Sequence, residues 1–372
     1  MKTRKWLNQN EAKALNLKPK PSEKNRKQAR YRITENQWQK VQEARNSGII
    51  QAHQEHGVEH QNSKFLWLKN KNSSIPVQNP FYVEKSEQDK FEAFLQGLKD
   101  EIKPTKPVKL LSDGNANLCN QYTLTDYHLG MMAWGEETGS DWDLSIAEET
   151  LIKFFEAGIK SSPKADECVF AQIGDFLHWD GFEALTPANK HILDADTRFP
   201  KLVRTAIKVI RQIIQKLLEK YKKVHVIMAE GNHDPASSVW LREMLSQFYE
   251  NEPRINIDTN PDPYYCHRFG NVCLFYHHQH KRKINAIESV FIGKFKKEFG
   301  RSKYVYGHLG HLHHQQKETN LMILEQHRTL ASKDAHASRE GYLSGRDSKI
   351  ITYHKDYGEV GRQTISIEML KN

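Results

Sequence analysis

The sequence predicts an α/β fold built on a mixed β-sheet, preceded by a small helical N-terminal extension. Three observations carry this reading. From about Gln121 onward, apolar runs of strand length alternate with longer segments whose apolar residues recur at helical spacing, the pattern of βα units. Two later segments, "YYCHRFGNVCLFYHH" and "SKIITYHKDYGEVGRQTISIEML", read instead as antiparallel pairs, so the sheet is mixed rather than purely parallel. Near the start, "ITENQWQKVQEARNSG" carries a helix signature well before the alternation begins.

Residues 1–30 form a basic block. Ten Lys and Arg stand against two Glu there, a net of +8 within a chain whose formal net charge is +9. A run of like charge without apolar periodicity predicts a solvated, flexible arm, and such an arm can also neutralise phosphates. Lys2, Arg4, Lys5, Lys24, Arg26, Lys27 and Arg30 are therefore candidate nucleic-acid contacts. Residues 31–104 read as a small helical module and linker. Thr34 caps the first helix with Gln37 three residues on, Trp38, Val41 and Ala44 share a face, and Gly48 ends it. "KFEAFLQGLKDEI" is a second amphipathic helix, and Pro104 and Pro107 mark the linker.

The main domain occupies residues 105–372. "QYTLTDYHLG" is a strand running into a loop, and "LSIAEETLIKFFEAGIK" a helix capped by Asp143. "CVFAQIGD" is a buried strand, and "FPKLVRTAIKVIRQIIQKLLEKYKK" a long helix with Pro200 near its start. "VHVIMAEGNHD" is a strand breaking into a loop, "SSVWLREMLSQFYE" a helix and "RINIDTN" a short strand. The first hairpin turns near Gly270 and Asn271; "AIESVFIGKFKKEFG" is one helix and "YVYGH" a strand. The four cysteines form no C-x-x-C pair and read as reduced core residues. No apolar run approaches the ~18 residues of a membrane span and no signal-peptide core follows Met1, so a soluble, cytoplasmic protein is expected.

Polar residues that bind metals recur where the strands end. Asp126 and His128 follow "YTLT", Asp175 follows "CVFAQIG", and Asn232 and His233 follow "VIMAEG". His277, His278 and His280 follow "VCLFY", and "GHLGHLHH" at Gly307–His314 places four histidines within eight residues after "YVY". Ligands in open α/β sheets bind outside the carboxyl ends of strands, which gives these five clusters one place to meet. Taken singly each motif is unremarkable; the ordered series D-x-H, GD, GNHD, H, GH-x-H is not.

That series resembles the calcineurin-like metallophosphoesterases, over roughly Gln121 to His314. The resemblance implies a four-layer sandwich of two mixed β-sheets flanked by helices, and a centre of two divalent transition-metal ions. Mn2+ is the expected metal, with Fe, Zn or Ni as alternatives suited to the same mixed N and O donors. Carried over residue by residue, Asp126 and His128 hold the first metal, Asp175 bridges, and Asn232 and a histidine of "YHHQH" hold the second. His278 is favoured because the family places that ligand just past the strand; His277 is its rival. His311 and His313 of "GHLH" supply one ligand per metal, leaving His308 and His314 as neighbours. The resemblance makes His233 the group beside the scissile ester and Asp234 its orienting partner. "GDFLHWD" departs from the family's usual GD-x-x-D or GD-x-x-N, which makes His178 an additional candidate ligand or substrate contact. The stretches "DYHLGMMAWGEETGSDWDLSIAEE" and "DAHASREGY" resemble a phage and prophage branch related to repair nucleases. The function expected is thus a phage-encoded DNA nuclease in a bacterial host cytoplasm, using a water activated between two cations. A small-molecule or cyclic-nucleotide phosphodiesterase or phosphatase is the first alternative, and a nucleic-acid-binding accessory protein with little activity the second.

Overall fold

The computed structural model describes residues 3–8, 11–12, 28–46, 65–70, 73–78, 108–111 and 113–371. The chain divides into two compact units, Met1–Ile102 and Lys103–Asn372.

In the first unit, strand β1 (Thr3–Asn8) pairs antiparallel with β2 (Gln28–Ile33), helix α1 (Glu35–Asn46) follows, and β3 (Phe65–Asn70) pairs antiparallel with β4 (Ser73–Gln78). The basic arm therefore begins and ends in strand, and the module is not wholly helical. The cause is a short alternation hidden among charges: Leu7, Tyr31 and Ile33 are buried, as is Val41 on α1. Lys5 rests its ammonium over the ring of Trp38 at 5.0 Å, a cation–π contact. The helix start is as its sequence indicates. Gln37 N–H donates to Thr34 Oγ1 at 3.3 Å and Thr34 N–H to Gln37 Oε1 at 2.8 Å, a reciprocal capping box. Pro76 lies in β4, whose one described partner is β3, so its missing N–H breaks no continuous sheet. Lys2, Lys24, Arg26, Lys27, Gly48, the helix expected in "KFEAFLQGLKDEI", and Pro104 and Pro107 lie outside the described residues.

The second unit has two mixed sheets. One has six strands in the order β15–β14–β5–β6–β7–β8, namely β5 (Asn115–Leu124), β6 (Ala165–Gln172), β7 (Lys223–Met228), β8 (Ile255–Ile257), β14 (Asp347–His354) and β15 (Gly358–Ser366). Strands β5 to β8 run parallel, and β14 and β15 close the edge antiparallel. The other has five, β12–β13–β11–β10–β9, formed by β9 (Tyr265–Phe269), β10 (Val272–His277), β11 (Tyr304–Leu309), β12 (Gln316–Thr319) and β13 (Ile323–Gln326).

Strand pleating sorts the apolar residues into three cores. Helix α2 is the single turn Gly135–Thr138; along β6, Cys168 and Phe170 face helices α3 (Leu144–Ser161) and α4 (Phe199–Lys220), while Val169 and Ala171 face the other sheet. A strand buried on both faces is apolar throughout, as "CVFAQIG" is. The third core packs Cys273 and Phe275 of β10 under Ile287 and Phe291 of a further helix. Helices thus cover both outer faces and the two sheets pack against each other, giving four layers. Asp143 caps α3, its carboxylate accepting from Ile146 N–H at 2.7 Å. The segment read as one helix, "AIESVFIGKFKKEFG", is two, Ile284–Lys294 and Lys296–Gly300, parted at Phe295 where ψ turns to 44°.

Candidate metal centre

The parallel strands β5, β6 and β7 and strands β10 and β11 of the second sheet all end at one rim. The loops that leave them carry the residues singled out above. Their donor atoms converge in two trios, Asp126–His128–His313 and Asp175–His278–His311. His313 Nε2 lies 3.1 Å from Asp126 Oδ1 and 3.3 Å from His128 Nε2. His278 Nε2 lies 3.0 Å from Asp175 Oδ2, 3.2 Å from Asn232 Oδ1 and 3.9 Å from Asp126 Oδ1, which links the two trios.

Pleating sends the two histidines of "YHH" to opposite faces of the sheet. Cys273, Phe275 and His277 point to the helix side of β10, where His277 stacks on Tyr264 at 4.2 Å; Leu274, Tyr276 and then His278 point toward the six-stranded sheet. His277 Nδ1 accepts from Gln279 N–H at 2.6 Å, and His278 Nδ1 meets Ile173 O at 2.9 Å, which holds a proton on Nδ1 and frees Nε2 as a donor atom. His308 is elsewhere, between His327 at 2.9 Å and Tyr353 at 3.0 Å, and His314 is exposed with Nδ1 on Leu312 O.

The backbone is bent to achieve this convergence. Among the described residues seven non-glycine positions have positive φ, and five of them are Asp126 (51°), His128 (47°), Asp175 (52°), His311 (77°) and His313 (53°). Each such residue costs on the order of 1–3 kcal/mol, strain that persists where surrounding structure enforces it and that clusters at functional sites. Two glycines make room. A Cβ on Gly231 would stand 1.8 Å from Asp175 Oδ1, and one on Gly310 2.0 Å from Thr125 Oγ1 and 2.8 Å from Asp126 Oδ2. Sequence reading passed over both, and over Thr329, whose hydroxyl donates to Asp126 O at 2.7 Å.

The donors fit a pair of divalent transition metals. Oxygen and imidazole donors about 3 Å apart match the edges of a coordination polyhedron with metal–ligand bonds of ~2.1 Å. Their electrostatics agree. Burial opposes charge on His278, but Asp175 and Asp126 outweigh it and lift the imidazole to about 9. His313 is raised by Asp126, also against burial. Burial works against charge on the carboxylates as well, yet His313 holds Asp126, and His278 holds Asp175, below the usual carboxylate range. The raised His278 thus favours a proton where a cation would sit, and cation binding would displace it. His128 and His178 move the other way: burial and then His233 lower both, His178 to about 3.

His178 Nδ1 is 3.3 Å from His128 Nδ1, so the departure in "GDFLHWD" places its ring against the first trio. Its backbone has a second task. His178 O accepts from His233 Nδ1 at 2.8 Å, and His233 N–H donates to Asp175 Oδ1 at 2.8 Å. The expected partner, Asp234, does not orient His233. Asp234 is fully buried and its two oxygens accept from Leu177 N–H and Gly231 N–H, each at 3.0 Å. Two backbone donors without another acceptor compete better for that carboxylate than an adjacent side chain, which at i+1 points elsewhere. Burial and then Asp175 raise Asp234 to about 7. Asp180, two residues past His178 in the same loop, accepts from Ala236 N–H at 2.6 Å and Ser237 N–H at 2.9 Å. Asp334 caps a five-residue helix, Ala335–Arg339, through Ala337 N–H at 2.7 Å. Among the described residues no helix is long and apolar enough to cross a membrane.

No family model and no curated protein matches the chain. Solved structures align with it at low similarity. A dimetal phosphatase from Danio rerio is 10% identical over 70% of this chain and 100% of its own, with a TM-score of 0.35. A 5'-nucleotidase from Candida albicans SC5314 is 9% identical over 72% of this chain and 54% of its own, with a TM-score of 0.35. A conserved uncharacterized protein from Streptococcus pneumoniae TIGR4, described as a predicted phosphoesterase, is 10% identical over 68% of this chain and 99% of its own, with a TM-score of 0.28.

Proposed function

We propose that this chain is a dinuclear-metal-dependent phosphodiesterase acting on nucleic acid, with DNA as its substrate and Mn2+ as its preferred metal. The observation that carries the reading is the meeting of two donor trios, linked through His278, beside a partly exposed His233. A cation pair bound there would activate a water and neutralise charge on the phosphoryl oxygens. The chain's own residues do the rest. With Nδ1–H committed to His178 O, Nε2 is the ring atom of His233 left to stabilise charge on the ester or protonate a leaving oxygen. Asp175 steers the same residue through its backbone amide, so one carboxylate fixes both a donor trio and the acid beside it.

The choice of nucleic acid rests on the N-terminal unit. In the β1–β2 pair Arg4 stands opposite Arg32 and Trp6 opposite Arg30, and Trp6 is 45% exposed. Like charges directly opposite destabilise a strand pair, so this arrangement favours an anionic partner. Arginine and tryptophan at facing register positions suit a phosphate backbone with unstacked bases. The test is hydrolysis by the full chain, stripped and reloaded with Mn2+, Fe2+, Zn2+ or Ni2+, of bis-p-nitrophenyl phosphate and of single- and double-stranded DNA. Metal-dependent cleavage of DNA is expected. Turnover of the small ester with DNA left intact would remove the nuclease reading, and turnover of neither would remove the phosphodiesterase.

A further inference from the structure

A second group of metal-binding side chains lies at the other end of the two-sheet core. Glu167 is near the start of β6, whereas Asp175 follows its end, on the order of 20 Å along the strand. His225 on β7 and His267 on β9 each place Nε2 3.0 Å from the same atom, Glu167 Oε1. Cys119 on β5, directly opposite Glu167 in the ladder, brings its sulfur into the group, and the donor atoms of Cys119, Glu167 and His267 all lie within 4.8 Å of one another. The four come from four strands in two sheets. All point inward by parity: Glu167 with Val169 and Ala171, His225 with Ile227, His267 with Tyr265 and Phe269.

An inward-facing carboxylate in such a core needs partners, and one imidazole N–H would suffice for the contacted oxygen. Here two imidazoles converge on one oxygen, their rings 4.1 Å apart, with a fully buried thiol beside them. Two nitrogens, one oxygen and one sulfur are the donor set of a closed tetrahedral zinc site. With zinc–donor bonds of about 2.0–2.3 Å, the edges of that tetrahedron are roughly 3.3–3.7 Å, so the two 3.0 Å Glu167–imidazole separations need to open by only a few tenths of an ångström, while His225, which stands outside the Cys119–Glu167–His267 trio, must close on it. The side chain of His225 is 22% exposed, which leaves an entry path.

We propose that Cys119, Glu167, His225 and His267 form a structural zinc site that ties β5, β6 and β7 of one sheet to β9 of the other. Binding turns the Cys119 thiol into a thiolate, its proton leaving to solvent, and closes the coordination shell with no position for substrate. The site is independent of the phosphodiesterase reading, because no cysteine is among the donors of the candidate dinuclear centre.

That difference supplies the test. The full chain is stripped with chelator and titrated with Co2+. The wild type is expected to develop an intense near-ultraviolet sulfur-to-cobalt band and to retain three metal equivalents. Cys119→Ser and His267→Gln are expected to lose the band and one equivalent while keeping the other two. Zinc-edge X-ray absorption of the wild type, which needs no variant to fold, should show a sulfur scatterer at about 2.3 Å. A wild type with no thiolate band and no sulfur around its zinc overturns the proposal, leaving a hydrogen-bonded carboxylate between two imidazoles. So does a band that survives undiminished in Cys119→Ser.

Discussion

His233 and His278 lie in the same rim yet have opposite tasks, and each is open to a separate experiment. Under the proposed function His233 would offer Nε2 to the ester, so His233→Ala is expected to lower kcat by about 10²–10⁴-fold with both cations retained, as measured by turnover and metal analysis side by side. His278 holds Asp175 and Asn232 within 3.2 Å, so His278→Ala is expected to lose a metal equivalent together with activity. The same histidine sets a pH dependence. Its folded pKa of about 9 lies above the ordinary 6.5, so the stability it contributes is complete below about pH 6.5 and is lost as pH rises through 9. The lowered carboxyls of Asp126 and Asp175 act oppositely, contributing above the usual carboxylate range and failing in acid. Chelator-treated protein should therefore melt at steadily lower temperature from pH 6.5 to 9, whereas Mn2+-loaded protein, with cations in place of those protons, should hold its melting temperature over that interval. Parallel curves for the two forms would contradict the pairing.

At the level of elements, loops are tied to helices across the sheet. Helix α5 (Pro235–Phe248) begins at Asp234, but its first amides are satisfied by Asp180 from the "GDFLHWD" loop, which also accepts from Ser237 Oγ at 2.5 Å. Asp180→Ala should cost about 1–2 kcal/mol, or roughly 2–8 °C in melting temperature, and Asp180→Asn should recover part of it. Gly231→Ala should lose metal and lower the melting temperature, because its Cβ would stand 1.8 Å from Asp175 Oδ1 and 2.3 Å from Asp175 N. These ties explain what was legible in the sequence. The long helix α4 with Pro200 in its first turn, the doubly buried strands and the polar residues at their ends all announce themselves through period and position. Strands β12 and β13, four residues each and rich in Gln, Lys and Glu, are too short to show a period. The break at Phe295 leaves the apolar spacing intact and so is invisible. Asp234 was misassigned for a related reason: adjacency in sequence names a neighbour, and only the turn into α5 shows that its carboxylate meets Leu177 and Gly231.

For the whole molecule the question is how charge is divided. The net charge of +9 is nearly matched by the +8 of residues 1–30, so the remainder of the chain is close to neutral. A main unit without much net charge gains little long-range attraction for a polyanion, so under the proposed function the attraction would have to come from the N-terminal unit. Its β1–β2 pair sets Arg32 opposite Arg4 and Arg30 opposite Trp6 in the strand register, which places part of the basic run on a two-stranded ribbon. Each phosphate contact removed should flatten the dependence of log affinity on log salt by about 0.7 for single strands and about 0.9 for duplex DNA. Arg4→Gln, Arg30→Gln and Arg32→Gln combined in the full chain should therefore weaken DNA binding and cut the salt slope by about 2–3, read from fluorescence anisotropy at several NaCl concentrations. A slope unchanged by all three substitutions would mean that the ribbon meets no phosphate, and the nucleic-acid assignment would lose its support while the metal centre kept its own.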